Sequence, residues 1–93
     1  MDAVNTVEIL KSLADDTRLS LVRKLHREGC EVASNELVSG CSEVLKLAQP
    51  TLSHHVNRLV QVGLLIPRKV GTEKFYKLNN ELLISIGIDA AKL

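Results

Sequence analysis

Aromatic side chains are almost missing from this chain. Phe75 and Tyr76 stand side by side, and there is no tryptophan. Any core must therefore be built from leucine, valine, isoleucine and alanine. With 45% of its 93 residues hydrophobic, the sequence has enough of them. Cysteine is scarce too. Cys30 and Cys41 are too few for a disulfide scaffold, so reduced thiols are expected. No stretch approaches the roughly 18–20 apolar residues of a membrane span. The opening MDAVNTVEIL lacks the basic region and apolar run of a signal peptide, so a cytoplasmic protein without membrane partners is expected. There is no nucleophile–base pair, phosphate loop or ligand cluster, which argues against an enzyme and against a cofactor. No repeat, low-complexity segment or long linker is visible, and residues 1–93 read as one small domain. A domain of this size with such a core is marginally stable alone, and pairing with a second copy would help it.

The net charge of +1 hides an asymmetry. From Lys46 to Lys77 there are six lysines and arginines against one acid, Glu73, a net +5. The rest of the chain carries six against ten, a net −4. A basic half on a near-neutral chain points to a polyanion-facing surface.

Hydrophobic spacing divides the chain into short elements. Ala3, Val7, Leu10 and Leu13 fall at helical intervals and predict a first helix over residues 3–13. Asp15 is a natural cap for a second, over residues 16–28, with Leu19, Val22 and Leu25 on one face and Gly29 as its stop. CEVASNELVSGC is the least legible stretch. Val32 suits a short strand, Asn35 to Val38 a helical turn, and Gly40 a break. Ser42 then looks like the cap of a short helix, Glu43 to Leu47. A longer helix, Gln49 to Val62, ends at Gly63. Two β-prone runs follow around VGT, with Gly71 in the turn and Pro67 marking an edge or a bulge. The last segment, capped by Asn79 or Asn80, reads as a helix weakened by Gly87. The order is helix, helix, short helix, helix, hairpin, helix. This is a mainly α fold with a small β-hairpin, organised as a winged helix-turn-helix.

The helix from Gln49 carries two adjacent histidines. On a helical wheel Leu52, Val56, Leu59 and Gly63 share one side, and His54 lies nearly opposite. His55 lies at the margin of the buried face, where it is expected to pack its ring and use one nitrogen in a hydrogen bond. Adjacent residues on a regular helix cannot chelate one ion, and no acid or cysteine is in reach along the helix. His54 instead has Gln49, Thr51, Ser53, Asn57 and Arg58 for company, the donor and acceptor types that read base edges or hold phosphates. No carboxylate interrupts that face.

Three segments resemble the ArsR/SmtB family of bacterial and archaeal repressors. LADDTRLSLVRKL is similar to that family's LADPTRLRILxLL, LAQPTLSHHVNRLVQVGLL to its recognition segment LSQPTVSHHLKxLxxAGLV, and KFYKL to the end of its wing. The likeness runs from about Leu10 to Leu78. It implies a winged helix-turn-helix dimer that binds double-stranded operator DNA and releases it on a signal. Many metal sensors of the family carry ELCVCDL; here ELVSGCS places Val38 and Gly40 at the cysteine positions, and Cys41 falls one residue late. The C-terminal helix has no histidine and only Glu81 and Asp89 as acids, so the family's other metal site is missing as well. His26 and Cys30 are four apart, but two ligands do not make a zinc site. No metal is therefore expected. Ala48 stands where the recognition helix usually has a serine cap, with Gln49 as a partial substitute.

The expected functional residues follow. DNA contacts are assigned to Gln49, Thr51, Ser53, His54 and Arg58 on the helix, and to Arg68, Lys69 and Lys74 on the wing. The terminal helices, through Val4, Val7, Leu82, Leu83 and Ile86, are expected to join two copies into a homodimer. The expected function is a sequence-specific DNA-binding transcriptional regulator, a repressor, acting as a homodimer on a palindromic operator. Two alternatives remain open at this point: a winged-helix module that binds protein, and a repressor whose Cys30 and Cys41 sense thiol redox state.

Overall fold

Asp15 adopts extended backbone, and its carboxylate accepts the Arg18 N–H at 3.0 Å, which fixes the start of the second helix. Gly29, at φ +70°, ends that helix in the left-handed conformation that glycine accommodates. The computed structural model describes residues 5–93. Its elements are α1 (Thr6–Leu13), α2 (Asp16–Glu28), β1 (Val32–Ala33), α3 (Ser34–Leu45), α4 (Gln49–Gln61), β2 (Leu65–Val70), β3 (Glu73–Leu78), α5 (Asn80–Ser85) and a final 3-10 turn, Ala90–Lys92.

Helix α1 differs from its sequence reading in both bounds and face. It begins after Asn5, whose side chain accepts the Glu8 N–H. Its inward residues are Ile9, Ser12 and Leu13, while Val7 and Leu10 are 59% and 49% exposed. The helix therefore has two apolar stripes, one in the core and one outside.

Helix α3 is the larger correction. The expected helical turn, break at Gly40 and short helix from Glu43 are one continuous helix of 12 residues. Leu37, Val38 and Cys41 are buried along it, and Leu45 packs against the core. Burying one leucine is worth about 1.5–3 kcal/mol, more than the roughly 1 kcal/mol that an interior glycine costs. Ser42 caps nothing. It lies inside the helix, and its hydroxyl donates to the Leu47 carbonyl in the turn beyond. Lys46, at φ 56°, closes the helix in a left-handed conformation unusual for a lysine.

Residues 46–48 form the turn into α4. Leu52, Val56 and Leu59 anchor α4 in the core, at 0%, 1% and 0% exposure, as their spacing predicts. Ala48 supplies no side-chain cap, and Gln49 does not replace one. After Gly63 the chain enters an antiparallel sheet of order β1-β3-β2, so the expected hairpin gains a third, two-residue strand at Val32. Pro67 lies on β2, the edge strand, where its missing N–H costs no ladder bond on the open side. Val70 pairs with Glu73 around Gly71 and Thr72, and Gly71 takes φ +61°. Asn79 joins wing to helices: its amide donates to the Gly63 carbonyl at 2.9 Å, and its side-chain oxygen caps α5. Gly87, at φ +83°, follows that helix's end rather than merely weakening it.

Candidate nucleic-acid interface

The outward side of α4 is polar and free of acids. Gln49, Thr51, Ser53, His54, Asn57 and Arg58 are all exposed. Arg58 makes one long contact, 3.4 Å from its Nη1 to the Gln61 side-chain oxygen, and no ion pair among the described residues. The first-turn N–H groups of α4 have no side-chain cap, which leaves them for water or for an anion such as phosphate.

Gln49 and Ser53 line a surface cleft of about 440 Å³ together with Ser34 and Asn35 at the start of α3 and Thr72, Glu73 and Lys74 at the wing tip. The first turn of α4 and the tip of the hairpin thus border one space. Strand register places Lys69 directly opposite Lys74. Facing pairs share a side of the sheet, and that side alternates along the strand. Lys69 and Lys74 therefore lie on the side of Tyr76, Leu65 and Leu78, the side packed on the helices. The Lys74 ammonium sits 5.8 Å from the Tyr76 ring centroid. Like charges facing each other weaken a ladder, and a polyanion between them would remove that penalty.

Arg68 is elsewhere. It pairs with Phe75 on the opposite, outer side of the sheet and is held by Glu31, a residue with no assigned role in DNA contact. Arg68 was expected among the phosphate contacts; in this structure its guanidinium is already engaged by a carboxylate. Glu31 is distant in sequence by 37 residues, and only the pairing of β1 with β3 brings it near.

The histidines separate as their wheel positions predict. His54 is exposed, and the two rings meet edge to face with centroids 6.0 Å apart. His55 is largely enclosed, with its Nδ1 3.7 Å from the Asp15 carboxylate. That is too long for a hydrogen bond, and Nδ1 is the one buried side-chain polar atom without a partner among the described residues. Among the described residues, Nδ1 thus does not make the expected hydrogen bond.

Neither the thiols nor the metal-motif positions form a constellation. Cys30 is exposed in a cleft of about 360 Å³ with His26, Lys77 and Glu81. Cys41 is buried and opens onto a different cleft beside Arg23, Lys24 and Arg27. Burial pushes the Cys41 thiol up, against a smaller opposing pull from Lys24 and Arg27, which disfavours the reactive thiolate. Val38 is buried hydrocarbon and Gly40 has no side chain, so neither position offers a side-chain donor atom. Among the described residues no three of His, Cys, Asp or Glu come together as a metal-holding group.

Of the residues assigned to pairing, Val4 lies outside the described residues. Val7 is exposed, and Leu82 and Ile86 are half-buried. Leu83 is a correction: it is 0% exposed, inside its own core, and has no surface to offer a partner. Its neighbour Ile84 is 71% exposed instead, and Leu10 adds to the outer stripe of α1. Helix phase alone could not decide which of three consecutive apolar residues, 82–84, turns inward. Among the described residues, no helix is long and apolar enough to cross a membrane.

Comparison with known proteins gives this geometry its context. A family model described as a helix-turn-helix domain matches residues 13–68. The arsenical resistance operon repressor of Staphylococcus aureus is 38% identical over 79 residues, covering 84% of this chain and 69% of the repressor. The arsenic resistance transcriptional regulator ArsR1 of Pseudomonas putida is 36% identical over 74 residues, covering 80% of this chain and 54% of the regulator. The chain thus spans about half to two-thirds of the length of these curated relatives. Among solved structures, HlyU from Vibrio cholerae N16961 superposes with a TM-score of 0.66 at 33% identity, over 86% of this chain and 82% of that one. With a helix-turn-helix completed by a β-wing and relatives of this kind, the chain belongs to the ArsR family of winged helix-turn-helix, DNA-binding transcriptional regulators.

Proposed function

We propose that the chain acts as a homodimeric, sequence-specific repressor on a two-fold-related operator. Helix α4 lies in the major groove, and Lys69 and Lys74 hold the flanking backbone. The carrying observation is the carboxylate-free outer face of α4, which shares a cleft with the wing tip. Gln49, Thr51, Ser53, His54 and Arg58 form the contact set of each half-site. Pairing through the outer edges of α1 and α5 is supported by Val7, Leu10 and Ile84, apolar side chains that the protomer leaves uncovered. It is also consistent with the Mycobacterium bovis winged helix-turn-helix domain Mb0332, described as homodimeric and similar in fold, with a TM-score of 0.69 at 22% identity. The ligand-free chemistry at Val38 and Gly40 supports release of DNA by a signal other than metal capture at the family's thiolate position.

Selection of bound duplexes from a random pool tests this reading. The expected product is an inverted repeat whose half-site centres lie about 10–10.5 base pairs apart, or a multiple of that. Enrichment of a single unrepeated half-site, or of none, would refute it. Zinc, cadmium and arsenite at stoichiometric levels should leave the selected complex intact; release by any of them at that level would show a metal site that these residues do not explain.

A further inference from the structure

The Glu31–Arg68 pair is a clamp across the outer face of the wing. Arg68 Nε and Nη2 each donate to a different oxygen of the Glu31 carboxylate, both at 2.7 Å. The guanidinium carbon lies 5.3 Å from the Phe75 ring centroid. Register explains the reach. Phe75 is the cross-strand partner of Arg68 on β2 and of Ala33 on β1. Glu31, two residues before Ala33, continues the same side of the sheet. Arg68 therefore crosses the sheet over Phe75, from the edge strand to the chain that leads into α3. The forked geometry fixes direction as well as distance, which a single-point ion pair would not.

Two consequences follow for the wing. Strand β2 is buried only at Leu65; from Ile66 to Val70 it is exposed, and among the described residues its one backbone partner is β3, so its outer part is tied to the helices only through the ladder. The clamp joins β2 to the segment that enters α3, the first helix of the helix-turn-helix. It also polarises the charge of the hairpin. The outer face has its arginine neutralised, while Lys69 and Lys74 stay unpaired with any acid among the described residues.

We propose that Glu31 and Arg68 are positioning residues, which hold the wing so that Lys69 and Lys74, not Arg68, meet the DNA backbone. The inference rests on the wing placement proposed above.

The test is operator binding by the full chain, measured by fluorescence anisotropy on the selected duplex and on a random duplex, across a salt series. Glu31→Gln and Arg68→Gln should each lower the preference for operator over random duplex by about 3- to 10-fold, with the salt slope unchanged. The exchange Glu31→Arg with Arg68→Glu keeps the net charge and should restore the preference to within about 2-fold of wild type. Lys74→Ala should lower the slope by about one. A slope lowered by about one in Arg68→Gln, with no recovery in the exchange, would make Arg68 a phosphate contact and overturn the proposal. So would single variants that discriminate like wild type, or a Glu31→Gln that merely tightens binding to both duplexes. If the exchange recovers but Lys74→Ala leaves the slope unchanged, the clamp stands and the assignment of the wing lysines fails.

Discussion

Replacing Ile84 by glutamate separates the protomer's own folding from the pairing proposed for it. Ile84 is 71% exposed on α5, so the protomer core loses little with it. Full burial of such a side chain is worth about 1.5–3 kcal/mol, and the exposed portion therefore offers about 1–2 kcal/mol per protomer if a second copy covers it. A two-fold interface counts each residue twice, giving on the order of 2–4 kcal/mol per dimer. Losing this would weaken dimerisation by roughly 30- to 1,000-fold, before any cost of confining two carboxylates. Sedimentation equilibrium across a concentration series reads this directly. Leu83→Ala is the contrast. That side chain is fully buried in its own protomer and should cost about 2–5 kcal/mol of folding stability. If Ile84→Glu dimerises as tightly as wild type, the exposed edge of α5 is not in the interface, and the pairing proposed here is wrong.

On α4, His54→Ala should weaken operator binding by about 1–3 kcal/mol with an unchanged melting temperature. His55→Ala should lower the melting temperature first; thermal melting and operator titration of both variants separate the roles, and intact affinity in His54→Ala would leave His54 a solvated residue. Gly40→Ala should stabilise the fold by about 0.5–1 kcal/mol, because an added Cβ meets nothing within 4 Å and the position is mid-helix. A lower melting temperature in that variant would show that α3 is not continuous there. For the clamp, the Arg68 hydrogen bonds hold Glu31 below the ordinary carboxylate range. The depressed carboxylate contributes its pairing in full above the unfolded value near 4.5 and loses it as pH falls through the lower folded value. The Arg68 Nε–H resonance should therefore keep its bound position at pH 4.5 and move only in stronger acid; a shift centred at or above 4.5 would contradict the pairing.

Most of this architecture was legible from hydrophobic spacing, because α2 and α4 each carry one apolar stripe, a stop residue and, for α2, a cap. The fold type and the polar face of α4 followed from those signals alone. The misreadings share a cause. At α3, Asn35, Gly40 and Ser42 are residues that favour turns and caps, yet Leu37, Val38 and Cys41 bury a face that overrides them. At α1 and at residues 82–84, apolar residues on neighbouring phases left two inward faces possible. Only packing against the rest of the core selects Ile9 over Val7 and Leu83 over Ile84. The role of Arg68 was invisible for a different reason. Its partner is fixed by strand pairing between segments 37 residues apart, and a composition that counts basic residues cannot tell a free arginine from a clamped one.

The two segments that carry the strongest family likeness meet in space, and their meeting explains why the paired histidines have different surroundings. LADDTR ends α1 and caps α2 through Asp15; SHH lies on α4. The Asp15 carboxylate accepts the Arg18 N–H at 3.0 Å, and it also faces His55 Nδ1 at 3.7 Å. Arg18 in turn donates from Nε to the Ser12 carbonyl at 2.9 Å, linking α1 to the same cluster. One carboxylate therefore stands where three helices converge, and His55 is the α4 side chain that faces it. His54, one residue earlier and about 100° around the helix, is left free to face outward. The adjacency of the two rings is thus a consequence of a helix that is anchored on one side and polar on the other.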